Sequence, residues 1–174
     1  MLTYICVSTY INMEDNFLER MEYAALSSRL KKLSDSLIYS TREFYKQQGL
    51  EVEPNWRMMI LLLQERSPLT ISEICRETKL SHPAIVQLTN KMKSKGYLKS
   101  SVDPDDARKT LLELTPKVDQ VLPELEKCWD ACSKTMRELT MNKNLIFEAL
   151  KDIETQMEKA DYLTRSLKNL NENK

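Results

Sequence analysis

Glycine is scarce in this chain: only Gly49 and Gly96 occur among its 174 residues. Tight hairpins and phosphate-binding loops rely on glycine because it adopts left-handed backbone conformations at little cost. The sequence therefore predicts a mostly α-helical protein with few turns of that kind. Apolar residues make up 41% of the chain and charged residues 30%, which is typical of a folded protein and excludes a disordered one.

Positive charge is concentrated in one short segment. The whole chain has 26 cationic and 26 anionic side chains, so its formal net charge is zero. Residues 81–109 contain six of the cations and three of the anions, which leaves 20 cations and 23 anions for the remainder. Because the local potential guides a polyanion more than the net charge does, this segment is where DNA would bind.

The cysteine and histidine residues do not form a metal-binding pattern. The residues concerned are Cys6, Cys75, Cys128, Cys132 and the single histidine, His82. Their spacing does not match a zinc site, so we expect no metal, no cofactor and reduced thiols. A redox role for Cys6 stays open as an alternative.

The sequence predicts no membrane-spanning segment. The longest apolar run, residues 58–63, is far too short to cross a bilayer. The apolar residues 1–11 lack the basic flank and the cleavage site of a signal peptide. We therefore expect a cytoplasmic protein with no membrane partner.

Amphipathic helices are predicted on both sides of the cationic segment. Apolar residues recur at helical spacing over 12–47, Gly49 follows as a C-cap, and Pro54 starts a second helix. A further helix is expected from Pro116 to about residue 139, although Pro123 lies inside it and removes one backbone hydrogen bond.

The last predicted helix has a seam of apolar residues at spacings of three and four over 146–170. Such spacing is close to that of a coiled coil and predicts a homodimer. Packing of these helices against each other within one chain is the alternative.

Between the long helices, the pattern predicts a helix-turn-helix followed by a β-hairpin. Thr70 and Glu73 have the spacing of a capping box that opens a short helix. Ser81 is a suitable N-cap for the next helix, and Gly96 ends it. Strands are expected over 97–102 and 110–114, joined by a polar turn. This order is that of a winged helix.

The second helix of the pair would enter a DNA major groove by its N-terminal residues. Ile85, Leu88 and Met92 form its buried stripe. The outward residues are His82, Pro83, Ala84, Val86, Gln87, Asn90 and Lys91. Gln87 could pair with adenine, and Lys91 could reach a phosphate. An ordinary amphipathic helix with a solvated face is the alternative.

The predicted turn of the hairpin contains one arginine among acidic residues. Asp106 and Arg108 are two residues apart, so in an extended segment their side chains lie on one side. A guanidinium held by a carboxylate suits the narrow minor groove of A·T-rich DNA, and Lys109 adds a second cation beside it. The alternative is a surface turn with an exposed ion pair that contributes little to stability.

These motifs resemble the multiple-antibiotic-resistance regulator (MarR) family. The matching stretches are Leu69-Thr-Ile-Ser-Glu-Ile, Leu80-Ser-His-Pro-Ala-Ile-Val-Gln-Leu, Lys95-Gly-Tyr-Leu, Asp103-Pro-Asp-Asp-Ala-Arg and Leu114-Thr115. The resemblance implies a mostly α protein with a winged helix-turn-helix head and a small hairpin wing. It also implies that long N- and C-terminal helices form a dimerisation domain.

The resemblance also implies roles for individual residues. Ser81, Pro83, Ala84, Gln87 and Lys91 would belong to the recognition helix, and Asp106 and Arg108 would form the wing pair, with Arg108 in the minor groove. Three positions depart from the family pattern. Ala107 and Gln87 stand where arginine is common, and Lys79 replaces the usual glycine of the turn.

The expected organisation has four parts: an extension of unknown role (1–12), an N-terminal dimerisation helix (13–50), a DNA-binding head (54–115) and C-terminal dimerisation helices (116–172). The expected function is a sequence-specific, double-stranded-DNA-binding regulator, a ligand-responsive repressor that binds a palindromic operator as a dimer. The alternative is a winged-helix module that binds protein. An enzyme is not expected, because no nucleophile–base pair or phosphate loop is present.

Members of the resembled family often respond to small aromatic molecules. Candidate residues for an aromatic effector site are Tyr39, Tyr45, Trp56, Met59 and Trp129, because aromatic side chains with a polar group suit mixed pockets. The alternative is that these residues are simply core.

Overall fold

In the computed structural model, residues 17–172 are described. The helices are α1 (Phe17–Arg20), α2 (Leu26–Gln47), α3 (Trp56–Glu65), α4 (Ile71–Thr78), α5 (His82–Ser94), α6 (Pro116–Leu139), α7 (Leu145–Lys159) and α8 (Tyr162–Glu172). The strands are β1 (Leu69–Thr70), β2 (Leu98–Val102) and β3 (Thr110–Leu114). The predicted fold class, mostly α with a small winged sheet, is confirmed.

The chain divides into two compact units between Leu122 and Pro123, within α6. The first contains the helix-turn-helix and the sheet, and the second contains the rest of α6 with α7 and α8. The predicted extension over residues 1–12 lies outside the described residues, and so does Cys6. No helix among residues 17–172 is long and apolar enough to span a membrane.

The predicted single helix over 12–47 is wrong in its first part. α1 ends at Arg20, a 3-10 turn covers Glu22–Ala25, and α2 begins only at Leu26. Glu22 has a φ of 46°, a left-handed conformation that a right-handed helix cannot contain. The break buries Ala25, whereas most of the flanking residues remain exposed.

Three helices and the sheet enclose the core of the head. Met59 and Ile60 of α3 are fully buried, as are Ile74 of α4 and Ile85 and Met92 of α5. The apolar stripe predicted for α5 is therefore confirmed, with Leu88 also buried. This burial fixes α5 against the other two helices and leaves its opposite face exposed.

The sheet is antiparallel with the order β1-β3-β2. β2 and β3 form the predicted hairpin, in which Leu98 pairs with Leu114 and Val102 with Thr110. β1 was not predicted, because two residues are too few to show an alternating pattern. Leu69 of β1 pairs with Leu112 at the centre of β3, so the hairpin is tied to the start of α4.

The predicted capping box at the start of α4 is confirmed. The Thr70 hydroxyl accepts from the backbone N–H of Glu73 at 3.3 Å, and the Glu73 carboxylate accepts from the backbone N–H of Thr70 at 2.7 Å. Ser81 precedes α5, as expected of an N-cap, but its side chain makes no capping hydrogen bond within the described residues. Its backbone carbonyl accepts from Ile85 at 3.1 Å instead.

The predicted single helix over 146–170 is also wrong. α7 ends at Lys159, and Ala160 is extended, with φ −157° and ψ 129°. Asp161 then accepts a hydrogen bond from the backbone N–H of Thr164 at 2.7 Å, which caps the start of α8. The apolar repeat continues through this point, but the local side-chain bond competes successfully with helix continuation. α6 has its predicted bounds and contains Pro123.

Candidate nucleic-acid interface

The N-terminal half of α5 presents a row of exposed residues. Of the sequence candidates, Val86 is half-buried and the others are exposed: Ser81, His82, Pro83, Ala84, Gln87 and Lys91. Ile85 and Leu88 point into the core between them. α5 therefore has the side-chain distribution of a helix that can enter a groove by its N-terminal end.

The wing turn holds Arg108 in a fixed pose. One carboxylate oxygen of Asp106 accepts from both the backbone N–H and the Nε of Arg108, each at 3.1 Å. The predicted ion pair is therefore present, but in a compact turn rather than in an extended segment. The Arg108 side chain is 91% exposed, whereas that of Asp106 is only 25% exposed. The Nε of Arg108 is thus bonded to Asp106, while most of the side chain is accessible to solvent.

The neighbouring acidic side chains organise this turn. Asp103 accepts backbone N–H bonds from Asp105 at 2.9 Å and from Asp106 at 3.3 Å. The other carboxylate oxygen of Asp106 lies 3.8 Å from Nζ of Lys109. Hydrogen bonds from the side chain and backbone of Arg108 hold the pKa of Asp106 below its ordinary value. Asp106 therefore stays charged at neutral pH and keeps Arg108 in place.

Two lysines fix the recognition helix and the wing strands rather than standing free. Nζ of Lys93 in α5 lies 3.4 Å from the hydroxyl of Ser100 in β2. Nζ of Lys99 pairs with Glu113 on the facing strand at 2.8 Å. These contacts connect α5 with β2, and β2 with β3, so the helix and the wing are held in one arrangement.

The residues predicted for an aromatic effector site differ in their exposure to solvent. In the first unit Tyr45, Trp56 and Met59 are buried, whereas Tyr39 is 62% exposed. Trp129 is buried in the second unit. Trp56 packs against Tyr97 with ring centroids 5.3 Å apart, and it lines an open cavity of about 450 Å³. Its indole nitrogen is buried without a hydrogen-bond partner among the described residues.

Among residues 17–172, Cys75, Cys128 and Cys132 are not joined in disulfide bonds. Burial raises the pKa of Cys128. A raised pKa keeps this thiol protonated and unreactive. Over residues 17–172, no group of three or more His, Cys, Asp or Glu side chains could hold a metal ion.

The sequence candidates did not include Thr115 and Lys117, two residues whose side chains donate hydrogen bonds to the backbone just after α5. Thr115 ends the Leu-Thr pair that follows the wing, and this pair was the available signal. Lys117 carried no signal, because its partner is a backbone carbonyl that no sequence pattern marks.

An exposed second helix in a helix-turn-helix, followed by a hairpin with a braced arginine at its turn, defines the winged helix-turn-helix class. Residues 50–109 match the model of the MarR family. This match confirms the predicted resemblance to the MarR family. No curated protein sequence matches the chain.

Several solved structures, two of them of transcriptional regulators by title, share this fold. The transcriptional repressor CouR, bound to a 23-mer DNA duplex, has a TM-score of 0.62 and 19% identity, over 77% of this chain and 96% of its own. The S. aureus MepR–DNA complex has a TM-score of 0.60 and 16% identity, over 78% and 97%. PcaV from Streptomyces coelicolor, with its natural ligand, has a TM-score of 0.62 and 16% identity, over 78% and 94%. These similarities show that the chain shares the fold of these proteins.

Proposed function

We propose that this protein is a transcriptional regulator that binds a palindromic operator in double-stranded DNA as a homodimer and represses transcription until an effector binds. The observation that carries the proposal is the wing geometry: Arg108 is fixed by Asp106 at 3.1 Å, yet its side chain is 91% exposed. The Arg108 guanidinium is therefore bonded to a carboxylate and still accessible to a DNA groove.

The two halves of the interface have separate roles. Gln87 reads adenine in the major groove, Ala84 and Val86 contact thymine methyl groups, and Lys91 binds a phosphate. The residues at the start of α5 that complete this contact are Ser81, His82 and Pro83. In the adjacent minor groove Arg108 is the inserted cation, and Lys109 lies beside it.

The dimer rests on apolar side chains that each unit leaves exposed. On α2, Leu26, Leu30 and Leu33 are more than 40% exposed. In the second unit, Met157 of α7 and Leu163 of α8 are similarly open. Rows of exposed apolar residues mark association surfaces, so we assign residues 13–50 and 116–172 to dimerisation and 54–115 to DNA binding. Two heads about 34 Å apart then read the two halves of a palindrome.

The effector in this proposal is a small aromatic molecule. Support comes from the aromatic cluster around Trp56, with its unpartnered indole nitrogen, and from the ligand-bound neighbour PcaV. The candidate contacts remain Tyr39, Tyr45, Trp56, Met59 and Trp129.

A salt series on duplex binding tests the proposal. The duplex is selected from a random library by the wild-type protein, and its dissociation constant is measured by fluorescence anisotropy. We expect the affinity to fall steeply with salt because phosphate contacts release counterions. Arg108→Ala should lose about tenfold in affinity, the cost of one specific arginine contact. Lys134→Ala, which removes an exposed cation from α6, is the matched control and should bind as the wild type does.

An absence of DNA binding would contradict the proposal. If the dimer selects no sequence and binds no duplex at low salt, the regulator proposal is wrong. The acidic turn residues Asp103, Asp105 and Asp106 favour the second candidate function in that case, a winged-helix module that binds protein.

A further inference from the structure

The backbone that directly follows α5 is bonded to side chains of two residues at the start of α6, Thr115 and Lys117. A helix leaves its last carbonyl groups without partners inside the helix, and those groups need donors from elsewhere. Gly96, with a φ of 76°, supplies the first donors through a left-handed turn. Its N–H bonds to the carbonyl of Lys93 at 2.9 Å, and the N–H of Tyr97 bonds to that of Met92 at 2.9 Å.

Three carbonyls beyond the end of α5, those of Lys95, Gly96 and Tyr97, accept hydrogen bonds from Thr115, just before α6, and from Lys117 in the first turn of α6. Nζ of Lys117 donates to the carbonyl of Lys95 at 2.9 Å. The hydroxyl of Thr115 donates to the carbonyl of Gly96 at 2.6 Å. The backbone N–H of Thr115 donates to the carbonyl of Tyr97 at 3.1 Å. We call Thr115 and Lys117 the α6 clasp.

The ammonium group of the clasp also contacts the core of the head. Nζ of Lys117 lies 4.5 Å from the ring centroid of Tyr97, which is a cation–π distance. Tyr97 is buried and packs on Trp56 of α3. Gly96 lies directly below the lysine stem, because a Cβ on it would stand 3.9 Å from Cδ of Lys117. Lys117 therefore contacts both the backbone after α5 and the ring of Tyr97, which packs against Trp56 of α3.

We propose that Thr115 and Lys117 are positioning residues for DNA recognition: they fix the recognition helix α5 to the first turn of α6. The proposal rests on the proposed function for its consequence in DNA binding. Each clasp bond ends on a backbone carbonyl just beyond α5, so its loss frees the C-terminal end of the helix. A helix that pivots there misplaces Gln87 relative to a base edge, although its cations still reach phosphates.

A positioning role and a direct phosphate contact can be distinguished, because they affect specific and non-specific DNA affinity differently. Specific binding needs side chains placed to within a fraction of an ångström, whereas phosphate attraction tolerates movement. Loss of the clasp should therefore lower affinity for a selected duplex but not for a scrambled one. A lysine that bound phosphate directly would lower both and would reduce the salt slope by about one.

Two variants test the clasp, Lys117→Met and Thr115→Val, each of which keeps the side-chain volume and removes the donor. Binding is measured to the duplex selected by the wild type and to a scrambled duplex. We expect the specific affinity to fall about tenfold, the cost of one lost base contact, with the scrambled affinity within about twofold of wild type. Lys117→Arg should restore most of the loss, and Lys134→Met, the same charge change further along α6, should have no effect.

Hydrogen exchange gives a readout that does not depend on DNA. We expect the amides of Lys95, Gly96 and Tyr97 to exchange faster in Lys117→Met than in the wild type or in Lys134→Met, with the centre of α5 unchanged. Unchanged exchange at these amides would overturn the clasp. An equal loss on both duplexes with a lower salt slope would overturn the positioning role. If the wild type itself bound both duplexes equally, the proposed function would be wrong. The hydrogen-exchange measurement would still show whether Lys117 stabilises the backbone after α5.

Discussion

Nη2 of Arg165 donates a hydrogen bond to the backbone carbonyl of Gln156 at 2.7 Å, across the break that separates α7 from α8. Its Nε also donates to the carbonyl of Ala160 at 2.9 Å. One guanidinium therefore satisfies carbonyls at the end of α7 while it stands in the first turns of α8. Side-chain hydrogen bonds from Arg165 therefore stabilise the bend between these helices.

Arg165→Met should loosen α8, because it removes the charge-assisted bonds to the carbonyls of Gln156 in α7 and Ala160 just after it. We expect α7 to stay intact. The expected result is faster amide exchange over residues 162–172, with exchange over 145–156 unchanged. Lys168→Met is the matched control, since Lys168 pairs with Glu172 on the same exposed helix face at 3.5 Å. Equal exchange in the two variants would show that Arg165 does not hold the bend.

Lys79→Gly should stabilise the head. Lys79 has a φ of 58° in the turn between α4 and α5, and a side chain costs energy in this left-handed conformation. We expect the free energy of unfolding to rise by about 1 kcal/mol, measured by urea denaturation. Lys32→Gly, in the middle of α2, should instead lower it by about 1 kcal/mol. A loss of stability at Lys79 would contradict the strain assigned to this turn.

Glu73 should make the stability of the head depend on pH. Hydrogen bonds from the backbone N–H and the hydroxyl of Thr70 hold the pKa of Glu73 below its ordinary value. A carboxyl with a lowered folded-state pKa stabilises above the unfolded pKa of about 4.3, and this contribution is lost as the pH falls through the folded-state pKa. The stability difference between the wild type and Glu73→Gln should therefore shrink from pH 6 to pH 3.

Urea denaturation at several pH values measures this difference. Thr70→Ser keeps both hydrogen bonds and should retain the full pH dependence. A difference that stayed constant between pH 6 and pH 3 would mean that the capping box does not depend on the charge of Glu73.

Asp106→Asn should strengthen DNA binding in general but reduce the preference for A·T-rich flanks. Removing a negative charge near the backbone strengthens binding to any duplex at low salt. It also weakens the brace on Arg108, so the preference for A·T-rich flanks should fall. Asp105→Asn makes the same charge change without touching the brace, and it should strengthen binding to all duplexes while keeping the preference. Anisotropy titrations with A·T-rich and G·C-rich flanks check both variants, and identical behaviour of the two would contradict the role of the brace.

Local sequence signals predicted most of the head, because its turns are made by residues that act within a few positions. The Thr70–Glu73 box and the stop at Gly96 depend only on near neighbours, so both could be predicted. The strand β1 could not, since it exists only by pairing with β3, some 40 residues further along the chain.

The same distinction explains the errors at the two ends of the chain. Hydrophobic periodicity continues through Glu22 and through Ala160, but the backbone leaves the helical conformation at both. At Asp161 the side chain bonds to the backbone of Thr164, an interaction that a count of apolar positions does not include. The clasp contact of Lys117 was missed for a related reason: a backbone carbonyl looks the same at every position of a sequence.

The tilted contact between the Trp56 and Tyr97 rings gives the protein an intrinsic fluorescence reporter. Indole emission depends on nearby polar groups and charges, and the Lys117 ammonium lies on Tyr97, whose ring contacts Trp56. With Trp129 replaced by phenylalanine, the remaining indole emission arises from the seat of the recognition helix alone. Its wavelength and lifetime can then be followed in real time while DNA or an effector is added, with no dye attached to the chain.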